Sequence, residues 1–147
     1  MNFSIINAAA EHIQQIASIE QKEFSFPMTG EMLSHLLEDS TVIFLSAVSG
    51  GNVLGYVSMK YVDNEGFFNN IAVLPEFRCM GIGDSLINKL FDESRAKNVD
   101  ILSLEVRENN RSAIKLYEKN GFEIAGIIKN YYTNPKDNAI IMRKILL

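Results

Sequence analysis

The period of the apolar positions changes several times along this chain, and each change marks an element. "FSIINA" reads as a short first strand. From Ala8 to about Lys22, Ile13, Ile16, Ala17 and Ile19 recur three and four apart, which predicts a helix. "FSFPMT" interrupts it, because Pro27 disfavours helix just before itself. Thr29 can cap a second short helix through about Glu38, with Met32, Leu33, Leu36 and Leu37 on one face. "TVIFLSAV", "SGGN" and "VLGYVSMKYV" read as a hairpin. "DNEG" turns the chain into a strand from Phe67 to Leu74. Leu86, Ile87, Leu90 and Phe91 then share a helical face, "DILSLEVR" alternates as a strand, and "NRSAIKLYEKNG" is a helix closed by Gly121. "FEIAGIIKNYY" and "NAIIMRKIL" finish as two strands around a polar loop.

The predicted order is β-α-α-β-β-β-α-β-α-β-β. It implies an α/β (α+β) fold, a mixed and mostly antiparallel sheet of about seven strands with helices on both faces. With no repeat, low-complexity stretch or linker, residues 1–147 read as a single domain. An apolar fraction of 47% supplies a core, and no apolar run reaches the roughly 20 residues that span a bilayer. "MNFSIINAAAEHIQQ" lacks the layout of a signal peptide, and the one cysteine, Cys79, leaves no internal disulfide. Both fit a reducing cytosol. A net charge of −4 with scattered cations argues against a nucleic-acid surface. Nothing in the pattern specifies an oligomeric state.

Three stretches could carry chemistry. In "RCMGIGDSL", Gly81 and Gly83 lie between a strand and a helix, where orphan N–H groups and the helix dipole can hold an anion. The dinucleotide and Walker fingerprints both fail, so a plain tight turn is the competing reading. Asp84 must face aside if an anion binds there. In "LSLEVR", Ser103, Glu105 and Arg107 share one strand face. Glu105 is then either paired with Arg107 on a solvated face or a general base in a cleft. Tyr117 reads as a core aromatic or as the acid for a thiolate leaving group. Asn110 is placed to cap the helix that carries it. His12 and His35 lie at no metal-ligand spacing, so no metal site is expected.

Together, the element order and the strings "IAVLPEFRCMGIG" and "LEVRENNRSAIKLYEKNGF" resemble the GNAT superfamily of N-acetyltransferases, and within it the ribosomal-protein-alanine N-acetyltransferases. The first string resembles the family's acetyl-CoA signature, a strand followed by Arg/Gln-x-x-Gly-x-Gly/Ala. The resemblance implies that the backbone of Arg78, Cys79, Met80, Gly81, Ile82, Gly83 and Asp84 cradles the pyrophosphate of acetyl-CoA. It implies that Ile71, Ala72 and Val73 pair with the pantetheine arm, and that Asn110 contacts it. Glu105 corresponds to the general base and Tyr117 to the general acid, with a backbone N–H near Val73 as oxyanion donor. Phe26, Pro27, Met28, Tyr131 and Tyr132 correspond to residues that grip the first residues of a protein substrate. Met28 stands where these relatives usually carry tryptophan, and Asp84 where small or basic residues are commoner.

The expected activity is therefore acetyl transfer from acetyl-CoA, the cosubstrate, to the α-amino group of an alanine-initial protein or peptide N-terminus, without a metal. A small-amine acetyltransferase and a non-catalytic coenzyme A module are the alternatives. No nucleic-acid or membrane partner is expected.

Overall fold

The computed structural model describes residues 2–146. In chain order it contains strand β1 (Ser4–Asn7), helices α1 (Ile13–Glu23) and α2 (Gly30–Glu38), and strands β2 (Val42–Ser49), β3 (Asn52–Val62) and β4 (Glu65–Val73). Helix α3 (Ile82–Ala96), strand β5 (Ile101–Arg107), helix α4 (Arg111–Lys119) and strands β6 (Glu123–Tyr132) and β7 (Asp137–Ile145) follow. This is the predicted order. The described strands form one sheet, β1-β2-β3-β4-β5-β7-β6. Every neighbouring pair is antiparallel except β4 with β5.

Alternation along β2 and β3 sends Ile43, Leu45, Val57 and Met59 into a core with α3, and Phe44 and Tyr56 into a second core with α1 and α2. Leu86, Ile87, Leu90 and Phe91 of α3 are buried, as their spacing predicts. Each fully buried aliphatic side chain of this kind contributes about 1.5–3 kcal/mol. The Thr29 cap forms, its hydroxyl accepting from the Met32 N–H at 3.2 Å.

Two boundaries differ from the sequence reading. The first helix begins later than Ala8, because the Ala8 N–H still pairs with the Phe44 carbonyl at 2.9 Å. A 3-10 turn, Ala10–His12, then intervenes, with the Ala9 N–H donating to His12 Nδ1 at 2.9 Å. Strand β4 begins at Glu65 rather than Phe67, because the turn closes earlier, with Asp63 at a φ of 53°.

One irregularity creates the cleft. Strands β4 and β5 pair only where Glu65–Phe67 meet Ile101–Ser103. Just beyond, Asn69 is an unpaired bulge against β3, where the register steps from Met59–Phe68 to Ser58–Asn70. A bulge bends and twists its strand, whereas β5 stays paired with β7 as far as Arg107. The two strands therefore diverge. Under the gap, Phe68 meets Tyr117 and Phe122 edge-on, at ring separations of 6.2 and 5.7 Å.

Candidate functional site

At the first rim of the gap, the 78–84 turn leads into α3. Gly81 takes a left-handed φ of 82°, with no heavy atom near the Cβ it lacks. Cys79 is also left-handed, at 63°, and exposed. The first N–H bonded back into the helix is that of Ser85, to the Gly81 carbonyl at 3.0 Å, which leaves those of Ile82, Gly83 and Asp84 without an intrahelical partner. Arg78 differs from its neighbours. Its N–H already donates to the Pro75 carbonyl at 3.3 Å. Its side chain donates to the Val73 carbonyl at 3.1 Å and to Glu23, tying the turn to α1. Open backbone donors therefore start at Cys79.

Gly83 has a different reason from Gly81. A Cβ there would stand 3.0 Å from Leu116 Cδ2, so its smallness lets α3 and α4 approach. Asp84 faces aside, as an anion site requires. Its carboxylate accepts from Lys119 Nζ and Asn120 Nδ2, both at 2.9 Å. Hydrogen bonding to Lys119, then to Asn120, holds this carboxyl below the ordinary range.

Strand β4 forms the wall next to the turn. The Leu74 N–H donates to the Leu54 carbonyl at 2.9 Å. By antiparallel alternation Ala72 turns its polar groups the same way, toward β3, while Ile71 and Val73 turn theirs to the gap. Of the three expected residues, Ile71 offers a main-chain donor and acceptor there, Val73 offers its N–H while its carbonyl is taken by Arg78, and Ala72 offers none.

Two cavities meet in the gap. One, of about 310 Å³, is lined by Ile71, Glu105, Asn110, Tyr117, Tyr132 and the loop after α1 that includes Phe26. The other, of about 470 Å³, lies over the uncovered face of β5 and β7 and is lined by Phe67, Glu105, Tyr131, Tyr132 and Arg143 among others. Glu105 does not pair with Arg107. That arginine donates to the carbonyls of Pro135, at 2.7 Å, and Thr133, at 3.2 Å, and lies 4.4 Å over the Tyr132 ring. Among the described residues Glu105 has no ion-pair partner, and hydrogen bonding to its carboxylate raises the Tyr131 phenol. Tyr117 is buried, which pushes its phenol well above the ordinary value and keeps it protonated. Burial also pushes Tyr132 up, to about 12. Asn110 caps α4, accepting from the Ala113 N–H at 3.2 Å, and still reaches the smaller cavity.

Phe26, Pro27 and Met28 lie in the α1–α2 loop, but of the three only Phe26 lines a cavity of the gap, and Met28 packs instead against the core beneath α1 and α2. This loop joins the one between β6 and β7 where Ser25 Oγ donates to the Asn134 carbonyl at 3.1 Å. Phe26 is 72% exposed, poised at the mouth. Met28 is held from behind, its N–H donating to Glu20 at 2.7 Å.

Glu20, Asn69, Asn70 and Arg107 escape a reading of the sequence as site residues. Glu20 is wholly buried and also accepts from the Tyr56 hydroxyl and from Asn70. Burial raises its carboxyl, while the donors from Met28 and Asn70 oppose that. A sequence signal for Glu20 exists: it stands four residues after Ile16, on the apolar face of α1.

A family model described as the acetyltransferase (GNAT) family matches residues 10–122. The ribosomal protein bS18 alanine N-acetyltransferase of Escherichia coli K12 is 35% identical over 126 residues, which are 84% of each chain. A crystal structure of the Escherichia coli ribosomal-protein-S18-alanine N-acetyltransferase superposes with a TM-score of 0.89 at 30% identity, covering 99% of this chain and 96% of that one. Arabidopsis thaliana NAA60, solved in complex with acetyl-CoA, superposes at 0.87 over 98% of both chains. At 16% identity that likeness is one of fold.

Proposed function

The chain belongs to the acetyltransferase (GNAT) family, and from that premise we propose that it moves an acetyl group from acetyl-CoA to the α-amino group of a protein N-terminus that begins with alanine. The observation that carries the reading is the convergence of Glu105, Tyr117 and the open edge of β4 on one gap. The relatives named for alanine N-acetylation supply the acceptor class.

The residues present suit the cosubstrate. The open N–H groups from Cys79 to Asp84 favour a pyrophosphate, and the turned-aside Asp84 carboxylate does not oppose one. Ile71 and Val73 offer main-chain partners to an amide-bearing arm, and Asn110 stands beside it. When bound, acetyl-CoA supplies a thioester, whose carbonyl is electrophilic and whose sulfur leaves as a thiolate.

This chain's own residues do the rest. An α-amine, with a pKa of about 8, must shed its proton before attacking. Glu105 takes that proton, directly or through a water. The Val73 N–H, aimed into the gap, is a donor for negative charge growing on the acyl oxygen. Tyr117, kept protonated by burial, supplies a proton to the departing sulfur. Tyr131 lines the larger cavity with Glu105 and so sits where the acceptor enters. Residues of the α1–α2 loop form the opposite lip.

The test is thiol release from acetyl-CoA with short peptides starting with Ala, Ser or Met, alongside a polyamine and an aminoglycoside. Release with the alanine-initial peptide, abolished by blocking its amino group, is expected. Release with the small amines alone, or with no acceptor, overturns the reading.

A further inference from the structure

Six residues line both cavities: Phe68, Asn69, Asn70, Leu104, Glu105 and Tyr132. They form the throat in which an amine and an acyl donor held on opposite sides would meet. A protonated primary amine presents three N–H groups, and the two oxygens of a single carboxylate engage at most two of them, so at least one is left unmatched. Resting on the proposed function, we infer that Asn70 binds the acceptor, its Oδ1 receiving an N–H of the α-amine, and that Glu20 is the positioning residue that fixes this polarity.

The polarity follows from the hydrogen bonds. Asn70 Nδ2 donates to Glu20 Oε2 at 2.9 Å. The same carboxylate takes the Tyr56 hydroxyl and the Met28 N–H. With three donors converging on it, Glu20 acts as an acceptor, so the amide of Asn70 must keep its NH2 toward α1. Its Oδ1 then faces the throat, and no donor among the described residues reaches it. An asparagine without this partner could present either edge. Glu20 removes the choice.

Kinetics of the wild type, Asn70→Ala, Glu20→Gln and the double variant test this, with an alanine-initial peptide and acetyl-CoA varied in turn. Asn70→Ala is expected to raise the peptide KM about tenfold and leave the acetyl-CoA KM within about twofold. Glu20→Gln is expected to act similarly, because a glutamine amide can donate to Oδ1 and turn the Asn70 amide round. The double variant should be no worse than Asn70→Ala, since both remove one interaction. Asn70→Asp keeps an acceptor at the throat, so its peptide KM should lie below that of Asn70→Ala. This arm stands even if Glu20→Gln does not fold.

Additive effects, an acetyl-CoA KM rising in step, or Asn70→Asp no better than Asn70→Ala would each overturn the inference. Wild-type turnover with an unchanged peptide KM in Asn70→Ala overturns it alone. Absence of wild-type turnover overturns the functional reading and this inference together.

Discussion

The two rims of the gap are built by different means. On one, the turn from 78 to 84 offers backbone N–H groups from a single contiguous stretch, shaped by Gly81 and by the start of α3. On the other, Phe26, Asn70, Glu105 and Tyr131 come from a loop and three different strands, and Asn70 is held by Glu20 from α1. Main-chain recognition needs only a local conformation, so a short motif can specify it. Side-chain recognition exists only once the sheet has splayed and α1 has packed. The first rim suits a ligand recognised through main chain alone, the second a ligand recognised by side chains.

That contrast predicts where chemistry and binding separate. Glu105→Gln and Tyr117→Phe should each lower kcat by about 10²–10³-fold, while calorimetric affinity for coenzyme A stays within about twofold. Because burial raises the Tyr117 phenol, kcat should not fall as pH rises through about 10, where an ordinary phenol ionises. If Glu105→Gln weakened coenzyme A as much as turnover, the rims would not be separable.

The two glycines sharpen the comparison at a smaller scale. Gly81→Ala forces a side chain into the left-handed region, at a cost of about 1–3 kcal/mol. It should raise the acetyl-CoA KM several-fold, because relief of that strain would move the N–H groups. Gly83→Ala should instead lower the melting temperature by a few degrees, through about 1 kcal/mol of overpacking against Leu116. Its acetyl-CoA KM should stay near wild type, and Leu116→Val should restore much of the stability. Equal KM effects from both glycines would mean that both serve the ligand.

What the sequence made legible follows the same division. The α3 face, the hairpin, the order of elements and the glycine turn all arise from periods and propensities within a few residues, and the structure reproduces them. On α2 the apolar face keeps Leu33, Leu36 and Leu37 but not Met32, which is exposed. The mutual approach of Glu105 and Tyr117 came from a family pattern, because alternation and helical spacing alone left both with ordinary readings. Hidden from the sequence was the bulge at Asn69, which decides that β4 and β5 part. A bulge depends on the partner strand's register, which no local pattern fixes. Glu20 was hidden for a related reason. A carboxylate on an apolar helix face is a conflict in the sequence, resolved only by Tyr56, Asn70 and the Met28 N–H arriving from other elements.

Asp84 is the residue on which the contrast could fail, since it puts a negative charge within the turn proposed to hold the pyrophosphate. Its bonds to Lys119 and Asn120 make it a strut between α3 and α4. The pair is open to solvent, with side-chain exposures of 29% for Asp84 and 68% for Lys119, so Asp84→Asn should cost only about 0.5 kcal/mol at neutral pH. The pH dependence has a definite sign. The folded carboxyl sits below its unfolded value of about 3.9. Its contribution is therefore present above that value and is lost as pH falls through the lower, folded one. Urea unfolding should show a constant gap between wild type and Asp84→Asn from about pH 7 to 5, closing below about 4. Coenzyme A affinity should change less than about threefold. A larger gain would mean that the carboxylate had been opposing the anion, and that this rim too depends on where a side chain is held.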